Sequence, residues 1–108
     1  MTDLTKPIWK PGARRIAASR LNAFAKFAGR RWNRRLAGAD YVQLHAWSTD
    51  HPAEFWSSVW EFGDVIGDMG ETVIVDGEKM PGATWFPDAR LNFAENLLWR
   101  PGNQEAMI

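Results

Sequence analysis

The chain has 108 residues, 13 Lys and Arg against 13 Asp and Glu, no Cys and seven Trp. This length allows one small globular domain at most, and the lack of cysteine removes any disulfide or thiolate–metal framework. With 45% hydrophobic and 24% charged residues, composition argues against wholesale disorder and against a collagen-like or mucin-like chain. Residues 1–12 hold Pro7, Pro11 and Gly12, with Ile8 and Trp9 as isolated apolar anchors, and read as an extended lead-in. From Ala13 to Trp32 a helical wheel places Ala13, Ile16, Ala17, Leu21, Ala23, Phe24, Phe27 and Ala28 on one broad face, so the spacing predicts a single helix. Arg20 and Arg31 fall within that arc, which implies either snorkelling side chains or a partner surface bearing carboxylates. Gly29 and Gly38 offer places to end the helix.

A second helical pattern, Tyr41, Leu44, His45 and Ser48, follows Asp40, a natural N-cap. The segment 49–54 then reads as another helix start, with Asp50 as cap, Pro52 in the first turn and acids at the positive end of the dipole. Phe55, Trp56, Val59, Trp60 and Gly63 form a stripe along it, and such a stripe is expected to be buried. Gly63, Gly67 and Gly70 close the helical region. Thr72–Val75 is β-branched and runs into Asp76-Gly77, a hairpin-turn dipeptide, so a short strand is expected there. Met80-Pro81-Gly82 must turn, and residues 83–86 are expected to be extended, because Pro87 disfavours helix in Phe86. Asp88 is expected to cap a last helix carrying Leu91, Ala94, Leu97 and Leu98 inward and stopping at Pro101-Gly102. Ala106-Met107-Ile108 turns apolar again, as a beginning strand would. The chain contains no internal repeat and no low-complexity tract.

The zero net charge divides unevenly. Residues 1–38 sum to +9 and residues 39–108 to −9, which fits either a basic arm for an anionic partner or two halves that attract each other. The stretch 14–35, with Arg14, Arg15, Arg20, Lys26, Arg30, Arg31, Arg34 and Arg35, is a cationic amphipathic segment of the kind that lies on a lipid surface or follows a nucleic-acid backbone. The same face serves equally for docking on a larger protein body. The Trp56/Trp60 stripe and Trp85-Phe86 read first as core or interface anchors.

Residues for catalysis or cofactor binding are not evident. The nine Gly are scattered, without Lys and Ser/Thr beside them in a strand-to-helix loop, so no phosphate loop is recognised. His45 and His51 lie six apart with no zinc-type spacing, and Ser19, Ser48, Ser57 and Ser58 lack a nucleophile-elbow context. No apolar run approaches the roughly 20 residues that span a bilayer, and Met1–Pro11 has no secretory-type stretch. The expectation is therefore a cytoplasmic chain with no catalytic, cofactor-binding or metal-binding residue of its own.

The string from Met80 to Leu98, MPGATWFPDARLNFAENLL, resembles the segment near the start of acetoacetyl-CoA synthetases, in the adenylate-forming acyl-CoA synthetase superfamily. Pro7-Ile-Trp9, Arg15-Ile16-Ala17, Leu44–Ser48, Pro52–Trp56 and Val59–Phe62 are similar to the N-terminal extension of the same enzymes. The resemblance implies a mostly helical α+β fold, with three to four helices and one short β-hairpin or strand pair, capping a larger α/β ligase. It implies residues 1–12 as lead-in and residues 13–108 as the N-terminal-type domain, ending where a catalytic domain would begin. The family's Ser/Thr/Gly-rich loop, its adenine and ribose motifs and its catalytic Lys would all lie beyond residue 108, so no catalytic residue is carried over. ATP, magnesium and CoA are thereby implied for a longer parent that joins acetoacetate to CoA through an acyl-adenylate. The implied partner is that catalytic domain or a full-length ligase, which the chain would cap or regulate; a freestanding module using residues 14–35 on lipid or nucleic acid is the alternative.

Overall fold

The computed structural model describes residues 5–38, 40–100, 102, 103 and 105. The expected helix stop at Pro101 and the expected strand start at Ala106–Ile108 lie outside them. Contacts group the chain into two compact units, Met1–Asp50 and His51–Ile108.

In the first unit, residues 5–12 form no helix or strand, and three helices follow: α1 (Ala13–Ala17), α2 (Arg20–Trp32) and α3 (Tyr41–Asp50). The single helix expected over 13–32 is thus broken at Ala18–Ser19. Ser19 is extended (φ −71°, ψ 151°); its hydroxyl accepts from the Asn22 N–H at 3.1 Å and donates to the Ile16 carbonyl at 2.7 Å. The Asn22 side-chain amide also donates to the Ala17 carbonyl at 2.9 Å. One serine thereby ends α1 and caps α2, a role worth about 1 kcal/mol. The apolar periodicity runs through the break, which is why it suggests continuity.

α2 buries Ala25 and Ala28, a face rotated from the expected arc, and leaves Phe24 and Phe27 half-buried. It ends neither at Gly29 nor at Gly38 but at Trp32, where Asn33 turns left-handed (φ 52°) and the Arg34 N–H donates back to the Gly29 carbonyl at 2.9 Å. This is the αL ending that asparagine tolerates. Gly29 serves the return of the chain: a Cβ there would sit 2.8 Å from the Arg34 carbonyl oxygen. That return buries Leu36. Asp40 caps α3 as its position suggests, through a reciprocal box in which its carboxylate accepts from the Gln43 N–H (2.9 Å) and its own N–H donates to Gln43 Oε1 (3.1 Å). Trp47, on the inward side of α3, is buried with its ring centroid 6.2 Å from that of Phe24. Ala25, Ala28, Leu36 and Trp47 make a small apolar core.

The second unit begins with α4 (Pro52–Phe62), continues through four two-residue strands, β1 (Gly67–Asp68), β2 (Ile74–Val75), β3 (Thr84–Trp85) and β4 (Arg90–Leu91), and reaches α5 (Phe93–Leu97). The cap of α4 is His51 rather than Asp50, because Asp50 is still part of α3; Pro52 opens α4, where its missing N–H costs nothing. β2 pairs antiparallel with β3, Ile74 opposite Trp85 and Val75 opposite Thr84, so the two expected extended runs find each other. Asp76-Gly77 does not close a tight hairpin. Asp76 (φ 53°) opens a loop over 76–83, held by the Lys79 N–H on the Asp76 carbonyl (2.9 Å) and by their side-chain ion pair at 3.2 Å.

β1 pairs antiparallel with β4, Gly67 opposite Leu91 and Asp68 opposite Arg90. Gly67 (φ 151°) permits this approach, since a Cβ there would lie 2.7 Å from the Arg90 carbonyl oxygen. Recruiting Arg90 and Leu91 into a strand delays the last helix: its cap is Asn92, whose side chain accepts from the Glu95 N–H at 3.1 Å, rather than Asp88. Leu91, Leu97 and Leu98, expected inward, are exposed. Among the described residues the fold is mostly helical α+β, with five helices and two antiparallel strand pairs. The helix beyond the expected count comes from Ser19, and the extra strand pair from β1 and β4.

Candidate functional site

The residues that could carry chemistry are occupied by backbone work. Ser48 donates to the His45 carbonyl at 2.7 Å, Ser57 to Ala53 at 2.7 Å and Ser58 to Glu54 at 2.8 Å, so these hydroxyls, like that of Ser19, are bonded to main-chain carbonyls. His45 is exposed on α3, its ring stacked 5.8 Å from that of Tyr41. His51 belongs to the other unit, at the start of α4. Among the described residues no three His, Asp or Glu side chains converge on a point where a metal ion could sit. Among them, too, no helix is long and apolar enough to cross a membrane.

The second unit instead presents an aromatic surface. The stripe on α4 is not buried as its spacing predicts: Trp56 is 41% exposed and Val59 36%, whereas Ser57 and Ser58 are buried. Trp56 stacks edge-on against Phe55 (5.0 Å) and against Trp85 of β3 (5.7 Å), and Trp60 meets Phe86 at 5.3 Å. Trp56, Trp85 and Phe86 line an open groove of about 330 Å³. Phe86 holds a positive φ of 44°, uncommon for a bulky side chain and costing on the order of 1–3 kcal/mol. Two hydrogen bonds hold it there: its N–H donates to the Val73 carbonyl at 2.7 Å, and its carbonyl accepts from Ala89 at 3.0 Å. The lining carries no ionisable group. Such a surface can bury apolar area against a partner but cannot move a proton.

One residue of α5 fixes the loop after α4. Asn96, half-buried on α5, accepts from the Ile66 N–H (2.8 Å) and donates from its side-chain nitrogen to the Ile66 carbonyl (2.9 Å) and the Asn92 carbonyl (2.9 Å). Asn92 and Asn96 both lie in the string from Met80 to Leu98, and neither residue type by itself announces a role. Their spacing of four on a short helix was the available signal, since it allows one to cap and the other to reach across.

The basic stretch 14–35 spans α1 and α2 rather than one helix. Arg15 lies over the Trp9 ring at 5.6 Å and Arg31 over Trp32 at 4.3 Å, contacts that pin guanidinium groups to apolar faces. Arg30 and Arg31 sit in the last turn of α2, where cations oppose the negative end of the dipole.

The acetyl-coenzyme A synthetase N-terminus family matches residues 41–97. The chain is 43% identical over 103 residues to acetoacetyl-coenzyme A synthetase of Rhizobium meliloti (strain 1021), covering 95% of this chain and 16% of that protein. It is 30% identical over 105 residues to acetoacetyl-CoA synthetase of Xenopus tropicalis, covering 95% of this chain and 15% of the relative. A malonamoyl-CoA synthetase of Penicillium aethiopicum is 39% identical over 61 residues, 55% of this chain and 8% of that protein. The chain therefore spans about one sixth of the length of the acetoacetyl-CoA synthetases it matches. No solved structure matches the chain significantly.

Proposed function

The chain belongs to the acetyl-coenzyme A synthetase N-terminus family, and from that premise we propose that it is the N-terminal, non-catalytic portion of an acetoacetate–CoA ligase. On this reading it packs on the ligase body, and the acyl-adenylate and thioester chemistry, with its ATP, magnesium and CoA, belongs to that body. The observation carrying the reading is the similarity to acetoacetyl-CoA synthetases over 95% of the chain. The aromatic groove supports it physically. Trp56, Trp85, Leu91, Phe93, Leu97, Leu98 and Trp99 stand exposed on the second unit, and rings of that size contribute most when desolvated against a partner. The likeness to a malonamoyl-CoA synthetase over part of the same segment fits a portion that does not choose the acyl group.

The test has two parts. The chain alone is expected to give no acetoacetate-dependent ATP–pyrophosphate exchange, and exchange by the purified chain overturns the non-catalytic role. Mixed with a Rhizobium meliloti acetoacetyl-CoA synthetase lacking its own matching segment, the chain is expected to form a complex and raise ligase activity. Absence of a complex at micromolar concentrations refutes the packing role.

A further inference from the structure

Residues 5–38 carry ten Lys and Arg and not one Asp or Glu, and α2 gives part of that charge a shape. Ala23, Lys26, Phe27 and Arg30 recur at three and four residues on the side of the helix away from buried Ala25 and Ala28. With Arg31 they line an open groove of about 470 Å³. Lys26 and Arg30 also line a second groove of about 610 Å³, together with Arg34 and Arg35. The lining of neither groove includes a carboxylate. Helix-dipole compensation accounts for Arg30 and Arg31 in the last turn of α2 and for Arg14 and Arg15 in the last turn of α1, but not for Lys6, Lys10, Arg20 or Lys26.

Apolar side chains left in water decide what kind of anion this surface fits. Within the same basic segment Ile8 is fully exposed, Trp9 is 66% exposed and Ile16 52%. A phosphodiester strand would engage the cations and the Phe27 ring but would leave the aliphatic side chains hydrated. An anionic bilayer accommodates both, with phosphates for Lys and Arg and the headgroup–acyl boundary for Trp and Ile. We propose that residues 6–35 dock the chain on an anionic phospholipid surface, with Lys26 and Arg30 on headgroup phosphates and Ile8 and Trp9 entering the interface. This goes beyond the ligase reading and stands or falls separately from it.

Flotation of the full chain with vesicles tests it, using equal parts phosphatidylglycerol and phosphatidylcholine against pure phosphatidylcholine. Binding is expected to the first and not to the second. Replacing Lys26 and Arg30 together by Gln is expected to weaken binding about twenty-five-fold, at roughly fivefold per cation. The pair Ile8→Ser and Trp9→Ser is expected to weaken it about tenfold through lost apolar insertion, while Lys26→Arg binds like the unaltered chain. Failure to float with anionic vesicles overturns the proposal, as does equal binding to neutral ones. Full displacement by a short DNA duplex, with the Ile8/Trp9 pair having no effect, overturns it in favour of a phosphodiester partner. The altered residues are exposed, and unchanged far-ultraviolet circular dichroism separates a lost surface from a lost fold.

Discussion

The two units differ in what they bury. In the first, Trp47 is buried and Ala25, Ala28 and Leu36 close around the same small core. In the second, the residues buried among those described are the serines Ser57 and Ser58, while the tryptophans of the groove remain partly in water. The first unit closes a small apolar core and shows its charge, with Ile8, Trp9 and Ile16 exposed beside it. The second is ordered by short strand pairs and side-chain clamps and shows its rings. Hydrophobicity alone therefore does not mark a core, because the same residue type serves cohesion in one half and offers contact in the other.

The sharpest break in that comparison is Trp47→Ala, expected to cost about 3 kcal/mol in urea unfolding, as removal of a large buried ring does. A cost below about 1 kcal/mol would mean that Trp47 is no core anchor. Next comes Asn96→Ala, which removes three hydrogen bonds and is expected to cost about 1.5 kcal/mol. Hydrogen exchange at Ile66 should quicken while the helices of the first unit keep their protection. Ser19→Ala is expected to cost about 1 kcal/mol by uncapping α2, visible as reduced helical ellipticity. The smallest effect belongs to Phe93→Ser, at a side chain 78% exposed: stability should move by less than about 0.5 kcal/mol, whereas binding of a hydrophobic dye should fall. A large loss of stability there would mean that the exposed rings serve the unit's own cohesion.

What was legible in the sequence was local. Asp40, placed just before the spacing of Tyr41, Leu44, His45 and Ser48, announces the start of α3, and the β-branched run at 72–75 announces a strand. The break at Ser19 was not legible, because the apolar spacing of Ile16, Leu21 and Phe24 continues across it and periodicity does not register a backbone that turns between two compatible faces. Asp88 and Asn92 are equally good caps by composition. The choice between them was made by Gly67 and Asp68, more than twenty residues upstream, whose pairing draws Arg90 and Leu91 out of the helix. Spacing on α4 marked the stripe of Phe55, Trp56, Val59 and Trp60 but not its exposure, since a wheel gives direction without saying what lies in that direction. The basic groove was legible as charge, and its position only once the helix had rotated to bury Ala25 and Ala28.

Asn96 holds Ile66 by the main chain alone, its amide standing in for the facing peptide of a neighbouring strand. The side chain at position 66 takes no part in those bonds. A random library at that site should therefore accept nearly every amino acid with folding intact, proline excepted because it lacks the N–H. A library at position 96 should accept few besides asparagine, so the two ends of one contact would carry very different amounts of information.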